Sequence, residues 1–322
     1  MTEIVAVDIG GTHARFAIAT LEGVRVTGLA HEVVLKTADH AGLAGAWRAF
    51  ADRLGRSLPR AAAIAFAGPV GGEVVQLTNH PWTLRPARFP AELGVDRFSL
   101  VNDFGAVGHA VAQLDARWFR HLCGPDLPLP DPGVISIVGP GTGLGVALVA
   151  RSAQGVRVIE CEGGHADFAP LDALEDRILA RLRRLHGRVS LERVVSGPGL
   201  AAIHAALADI EGCDIVPVDD ETLWARALGG EDALAAAAFE RFCRRLGAAA
   251  GDIALVQGAQ GVVVAGGLGL RIADRLAASG FAAGFRAKGR MEGRMAAMPV
   301  KLLTCPQPGL FGAAAAFALA HP

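Results

Sequence analysis

No Gly-x-x-x-x-Gly-Lys-Ser/Thr run occurs in this chain of 322 residues, so a P-loop nucleotide site is disfavoured at the outset. No two cysteines are spaced Cys-x-x-Cys. The five present, Cys123, Cys161, Cys213, Cys243 and Cys305, are odd in number and scattered, which supports neither a disulfide framework nor a cysteine zinc site and reads as a set of reduced thiols. Neither sign of charge is in excess: 31 Lys and Arg stand against 32 Asp and Glu, a formal net charge of −1, so nothing draws the chain to nucleic acid or to anionic membranes. The basic cluster Arg181-Leu-Arg183-Arg184 falls on the helical stretch Ala173–Leu185 and reads as a solvated face. The Ala-rich segment Leu310–Ala320 is too short to span a bilayer, and no basic-then-apolar leader precedes the first strand at Ile4. A soluble, cytoplasmic protein is expected, without a low-complexity linker or a short-period repeat.

What the chain does contain is one device used twice. A short apolar run enters a glycine-rich bend and leaves it as a second apolar run. The first copy is Ile4–Thr12 into Phe16–Ala19; the second is Val134–Gly143 into Val146–Val149. Backbone N–H groups in such a bend can converge on an anion, because glycine permits positive φ and has no Cβ to block approach, and the Thr hydroxyl adds a donor. Either loop alone reads as a plain hairpin turn. Their repetition, with Asp8 ahead of the first, points to a polyphosphate held between two related halves. Gly141-Thr-Gly-Leu-Gly145 is no dinucleotide fingerprint, since a β-branched apolar run follows it where that motif needs a helix.

The rest of the chain alternates strand and helix. Helical spacing covers Ala41–Leu54, buried-strand runs cover Ala61–Ala67 and Phe98–Val101, and a helix is expected from about Ala106 to Leu114. Long Ala-rich helices fill the second half, notably Asp232–Gln257. They are followed by the strand Gly261–Ala265, a last strand Val300–Leu303 and the helix Leu310–Leu319. With 52% hydrophobic residues there is material for two cores, and the pattern is that of an α/β protein.

Polar residues collect at Asn102-Asp103, Glu162–His165, Glu192 and Thr78–Trp82. Carboxylate, amide and imidazole together supply the mixed donors and acceptors that a polyhydroxylated substrate requires.

In these segments the sequence resembles the bacterial glucokinase family, within the actin-like, hexokinase-type ATPase superfamily. The matching elements are Asp8-Ile-Gly-Gly-Thr-His-Ala-Arg15, Leu77-Thr-Asn-His80, Asn102-Asp103-Phe104, Gly141-Thr-Gly-Leu-Gly145, Glu162-Gly-Gly-His-Ala-Asp-Phe-Ala-Pro170, Glu192-Arg-Val-Val-Ser-Gly-Pro-Gly-Leu200, Ala265-Gly-Gly267 and Pro308-Gly-Leu-Phe-Gly312. They span nearly the whole chain. The resemblance implies a two-domain actin-like ATPase (hexokinase/ribonuclease H-like) α/β fold, with a cleft between a small domain, 1–110 plus 306–322, and a large domain, 111–305. It implies ATP-dependent phosphorylation of glucose, with Asp103 taking the proton of the 6-hydroxyl and Asn102, Glu162, His165 and Glu192 binding the other hydroxyls. Gly10, Gly11 and Thr12 with Gly141, Thr142 and Gly143 would face the ATP phosphates, Asp8 would hold Mg²⁺ through water, and Gly266 and Gly267 would approach the adenosine. A homodimer is implied as well. Phosphoryl transfer is mostly positioning and charge neutralisation, so two amide-lined loops, one metal ion and one base suffice.

Blander readings stand beside these. Asp103 is also placed to cap the helix that follows it. His13, His80 and Cys161 read as structural or solvent-facing neighbours of the motifs. His165 lacks the downstream cysteine cluster that would make it a zinc ligand. A kinase of the same fold for another hexose or phosphoryl donor is a rival reading. A non-catalytic sugar-responsive regulator is a weaker one, because such proteins usually begin with a helix-turn-helix and this chain reads as starting directly in a strand.

Overall fold

A computed structural model describes residues 1–77, 80–230 and 232–322; Thr78 and Asn79 of the polar Thr78–Trp82 cluster lie outside the described residues. The strands in chain order are β1 (Thr2–Ile9), β2 (His13–Glu22), β3 (Arg25–Lys36), β4 (Ala61–Phe66), a small hairpin of β5 (Val75–Gln76) and β6 (Thr83–Leu84), β7 (Arg97–Asn102), β8 (Phe119–Cys123), β9 (Gly133–Pro140), β10 (Leu144–Ser152), β11 (Gly155–Cys161), β12 (Gly261–Val264) and β13 (Val300–Leu303). The chain divides into two compact units, Met1–Asp115 with Val158–Glu160 and Cys305–Pro322, and Ala116–Arg157 with Cys161–Thr304.

The doubling read from the glycine loops extends to whole sheets. One sheet runs β3-β2-β1-β4-β7 and another β11-β10-β9-β12-β13-β8. In each, an antiparallel pair around a glycine bend (β1–β2, β9–β10) has its first strand continued by parallel strands that arrive through helical crossovers. Both bends therefore sit at the end of a central strand, beside the carboxyl ends of its parallel neighbours, where open α/β sheets place ligands.

Parity along β1 explains how the first site is aimed. Val5, Val7 and Ile9 face Trp47 and Phe50 of the helix Leu43–Leu54, whereas Ile4 and Ala6 face the C-terminal helix Pro308–Ala320. Asp8 shares the parity of Ile4 and Ala6, so its carboxylate points to the start of that last helix. Small side chains at Ala61, Ala63 and Ala65 of β4 meet Ala313, Ala314 and Ala315, which accounts for the alanine content of this segment. Close approach is carried furthest at Gly309, where a Cβ would stand 2.6 Å from the Asp8 carboxyl carbon.

The helix expected from Ala106 begins three residues earlier, at Asp103. Asn102 rather than Asp103 caps it: the Asn102 Oδ1 accepts the N–H groups of Phe104 and Gly105 at 2.8 and 3.1 Å. Asp103 is the first helical residue.

In the second unit, Asp172 caps the helix Ala173–His186, and Asp232 caps the long helix Ala233–Val256. Between these two helices lies a buried charge cluster. Glu175 is fully buried and accepts from Arg241 (3.1 Å), Arg245 (3.3 Å) and the Leu171 N–H (2.7 Å). Arg245 is equally buried and lies over the Phe168 ring at 4.6 Å, which ties the cluster to the Glu162–Pro170 motif. Burial pushes the Arg245 guanidinium below its ordinary value, against the pull of Glu175. Removing one member of a buried pair strands the other. Glu175→Ala should therefore cost about 3–5 kcal/mol in a denaturant melt, and a loss under about 1 kcal/mol, typical of an exposed pair, would show that the cluster holds nothing together.

Candidate active site

The first bend spends one of its amides on itself. The Gly10 N–H donates to the His13 carbonyl at 2.9 Å and closes the turn. The amides of Gly11 and Thr12 have no partner among the described residues, and Thr12 is exposed. Thr37 props the bend from behind: its hydroxyl donates to the Gly11 carbonyl at 2.7 Å and its N–H to the Thr12 carbonyl at 3.1 Å, while the side chain itself is buried. Nothing in the sequence marked Thr37, because it is distant in the chain and its neighbours carry no motif.

Asp8 lies directly before this bend, and Arg15 opposite it in the β1–β2 ladder reaches its Oδ2 at 3.5 Å. Burial raises the Asp8 carboxyl above the ordinary carboxylate value, and the guanidinium only partly offsets that. At the end of β7 the Asn102 amide is largely committed. Both acceptor positions of Oδ1 are taken by the cap and Nδ2 donates to the Gly68 carbonyl at 3.3 Å, which leaves one N–H for a ligand. Asp103 Oδ1 accepts the Phe104 N–H at 2.9 Å, which sets the direction of its carboxylate.

The second bend repeats this economy. The Gly141 N–H donates to the Gly143 carbonyl at 2.8 Å, leaving the Thr142 and Gly143 amides without partners among the described residues. The props differ from those of the first bend. The Gly197 N–H donates to the Gly141 carbonyl at 2.7 Å, and Glu192 Oε2 accepts the Leu144 N–H at 3.0 Å. The Glu192 carboxylate fills the space a Cβ on Gly143 would need, so glycine is required there for room. None of Gly10, Gly11, Gly141 or Gly143 has a left-handed φ, and among Gly10, Gly141 and Gly143 close approach demands glycine only at Gly143, since a Cβ at Gly10 would make an ordinary contact and one at Gly141 would meet open space.

Glu162, His165 and Glu192 belong to one framework in this unit although 30 residues separate the ends. Asp167 bridges Ser190, the Leu191 N–H donates to the Ala166 carbonyl at 2.8 Å, and Arg188 donates to the His165 carbonyl at 2.7 Å. Glu162 and His165 are exposed, with 3.7 Å between carboxylate and imidazole. The Gly266-Gly267 pair divides its work: Gly266 takes φ +85° and packs where a Cβ would be 2.9 Å from the Pro140 carbonyl, whereas Gly267 has open space around it. Gly267, Gly141 and Thr142 line a cavity of about 460 Å³; Thr142 and Glu192 also line a second of about 250 Å³.

Each unit thus carries a glycine bend with two unpaired amides beside a carboxylate, Asp8 in the first and Glu192 in the second, and comparison with known proteins gives the family. The family model described as glucokinase matches residues 5–320. The chain belongs to the glucokinase family. A glucokinase of Zymomonas mobilis is 60% identical over 316 residues, covering 98% of both chains, and one of Paramagnetospirillum magneticum is 39% identical over 319 residues, covering 98% of this chain and 97% of that one. The crystal structure of a glucokinase from an Antarctic psychrotroph superposes with a TM-score of 0.85 at 34% identity, covering 98% of this chain and 99% of that one. The expected α/β sugar-kinase fold is thereby shown.

Asp8 gives this glucokinase-family site a pH signature. The folded chain holds the Asp8 proton more tightly than the unfolded chain does, so its charge costs stability once pH rises above the raised folded value. Asp8→Asn should melt higher than wild type at neutral pH, and the gap should close as pH falls toward and below the ordinary carboxylate range. A gap independent of pH, or an Asp8→Asn protein that is less stable at neutral pH, would contradict the cost assigned to this charge.

Proposed function

We propose that this member of the glucokinase family transfers the γ-phosphoryl group of ATP to the 6-hydroxyl of glucose by dividing the labour between the two repeated bends and the carboxylates beside them. The observation that carries the reading is the repetition itself: a glycine bend closed by one internal bond, with two successive amides left unpaired among the described residues, occurs once in each unit. The amides of Gly11 and Thr12, and of Thr142 and Gly143, donate to the phosphate oxygens of ATP, while Gly10 and Gly141 close the two turns that present them. Preorganised donors of this kind stabilise charge on a transferring phosphoryl group without reorganising during the reaction.

Asp103 accepts the proton of the 6-hydroxyl as that oxygen attacks phosphorus, leaving ADP and glucose 6-phosphate. Asn102 contributes its remaining N–H to a sugar hydroxyl, and Glu162, His165 and Glu192 hold the others from the second unit. Gly267, which lines the cavity, approaches the adenosine, and Gly266 before it lets the chain pack against the Pro140 carbonyl.

The residues present suit Mg²⁺. Asp8 offers a hard oxygen donor on a partly buried carboxylate that one guanidinium at 3.5 Å compensates only in part. Among the described residues no cluster of three or more His, Cys, Asp and Glu side chains could hold a metal alone, which fits an ion bound mainly by phosphates and water. Asp8 would hold Mg²⁺ through water, and the ion would supply neutralisation of phosphate charge. We further place the enzyme in the cytoplasm as a homodimer, both on the family resemblance, and the first also on five cysteines none of which is joined in a disulfide among the described residues.

Two experiments test these roles. Asp103→Asn should bind glucose within a few-fold of wild type by calorimetry while kcat falls by roughly 10²–10⁴, the contribution of a positioned general base. Retention of more than about a tenth of wild-type kcat, above that range, would remove Asp103 as the base. At Glu192 the two roles separate by substitution. Glu192→Gln keeps an oxygen for the Leu144 N–H and should raise the glucose KM with the ATP KM nearly unchanged. Glu192→Ala releases the bend and should raise both. The same ATP KM in the two variants would show that Glu192 does not support the donor loop.

A further inference from the structure

Three residues of β11, Val158–Glu160, belong to the first compact unit and lie against the helix Asp103–Gln113, whose first residue is Asp103 itself. Two glycines of that helix make the approach possible. A Cβ on Gly108 would overlap the Val158 Cγ1, and one on Gly105 would stand 3.2 Å from the Glu160 Oε2 and 3.8 Å from the Asn102 Cβ. Asn102, Gly105 and Gly108 recur at intervals of three and so share one face, and the β11 segment rests on it. Glu160 reaches along the same face: burial pushes the neighbouring His109 imidazole down, and the Glu160 carboxylate opposes that shift. Another side of the helix is fixed as closely, since a Cβ on Gly312 of the C-terminal helix would overlap the Ala106 carbonyl oxygen. Val158 is β-branched and stiff at χ1, and the Ala106 contact is backbone, so neither side has a flexible chain end that could give way.

We infer that Val158 and Gly108 are positioning residues for the general base: together they form a seat that fixes where the helix presents Asp103 to the hydroxyl it deprotonates. Misplacement of a reacting group by about 1 Å costs on the order of 10²-fold in rate, and a helix held on two sides without slack transmits such a shift to its first residue. The inference rests on the reading of Asp103 as the base. It adds a contact that lies outside every motif carrying the family resemblance, on a segment that ends two residues before Glu162.

Steady-state kinetics on the full-length enzyme tests it, with melting temperatures recorded on the same preparations. Gly108→Ala drives a methyl into Val158 and should lower kcat by roughly 10–100-fold with the ATP KM nearly unchanged. Val158→Ala introduces no collision and carries the test if Gly108→Ala does not fold; it should lower kcat several-fold. In the double variant the added methyl occupies the space that Val158 vacates, so Gly108→Ala with Val158→Ala should turn over faster than either single variant. In an Asp103→Asn background Gly108→Ala should cause no further loss, because residues that act as a unit are not additive, whereas a merely structural defect would slow both backgrounds alike. Unchanged kcat in Val158→Ala would overturn the inference. So would a double variant slower than either single one, or a full further loss in the Asp103→Asn background. Failure of the base reading would show separately, as an Asp103→Asn enzyme that keeps its rate, and would overturn the seat with it.

Discussion

A turn can offer its backbone to a phosphate only if its amides are left unpaired, and a turn with unpaired amides cannot hold its own shape. Both glycine bends answer this constraint in the same way. Each spends a single internal bond, Gly10 to His13 and Gly141 to Gly143, and takes the rest of its support from outside the turn. Thr37 props the first; Gly197 and Glu192 prop the second. The two Gly11-Thr12 and two Thr142-Gly143 amides stay outward because other residues carry the cost of fixing the loop, an arrangement that preorganises donors before any ligand arrives.

The same constraint gives several polar residues two jobs. Glu192 holds the Leu144 N–H while its carboxylate lines a cavity, and Asn102 caps a helix while keeping one N–H to spare. Asp8 is held against the start of the last helix, where burial makes its charge costly and Arg15 offsets that only in part. Further back, the Glu175–Arg245 cluster and Phe168 anchor the segment that presents Glu162 and His165. The polar framework is thus continuous within the second unit, from the buried helix pair out to the exposed Glu162 and His165.

Much of this was legible in the sequence, for reasons that can be named. The central strands β1, β4, β9 and β12 are buried runs and stand out as apolar segments, and the long helices announce themselves through their capping aspartates, Asp172 and Asp232. The edge strands β3 and β11 did not stand out, because they bury few residues and their polar faces carry no clear alternation. The start of the helix after β7 was misplaced by three residues because Asn-Asp offers two capping side chains, and only the backbone decides that Asn102 takes the role. The glycines were found for a reason that turned out to be partial: room for Glu192 at Gly143, and left-handed φ only at Gly266. Thr37 escaped notice because its role arises from tertiary contacts alone. Arg15 stood at the end of the Asp8–Arg15 motif, but only the β1–β2 register sets it opposite Asp8.

The central claim is that the amides left open by the two bends are the ones that hold the donor phosphates. Backbone amide NMR on isotopically labelled enzyme, recorded with and without Mg²⁺ and a non-hydrolysable ATP analogue, reads each of those groups separately. The account predicts that the N–H signals of Gly11, Thr12, Thr142 and Gly143 shift and become protected from exchange, while those of Gly10 and Gly141, already bonded within their turns, change far less. Protection confined to one bend, or equal changes at bonded and open amides alike, would contradict it.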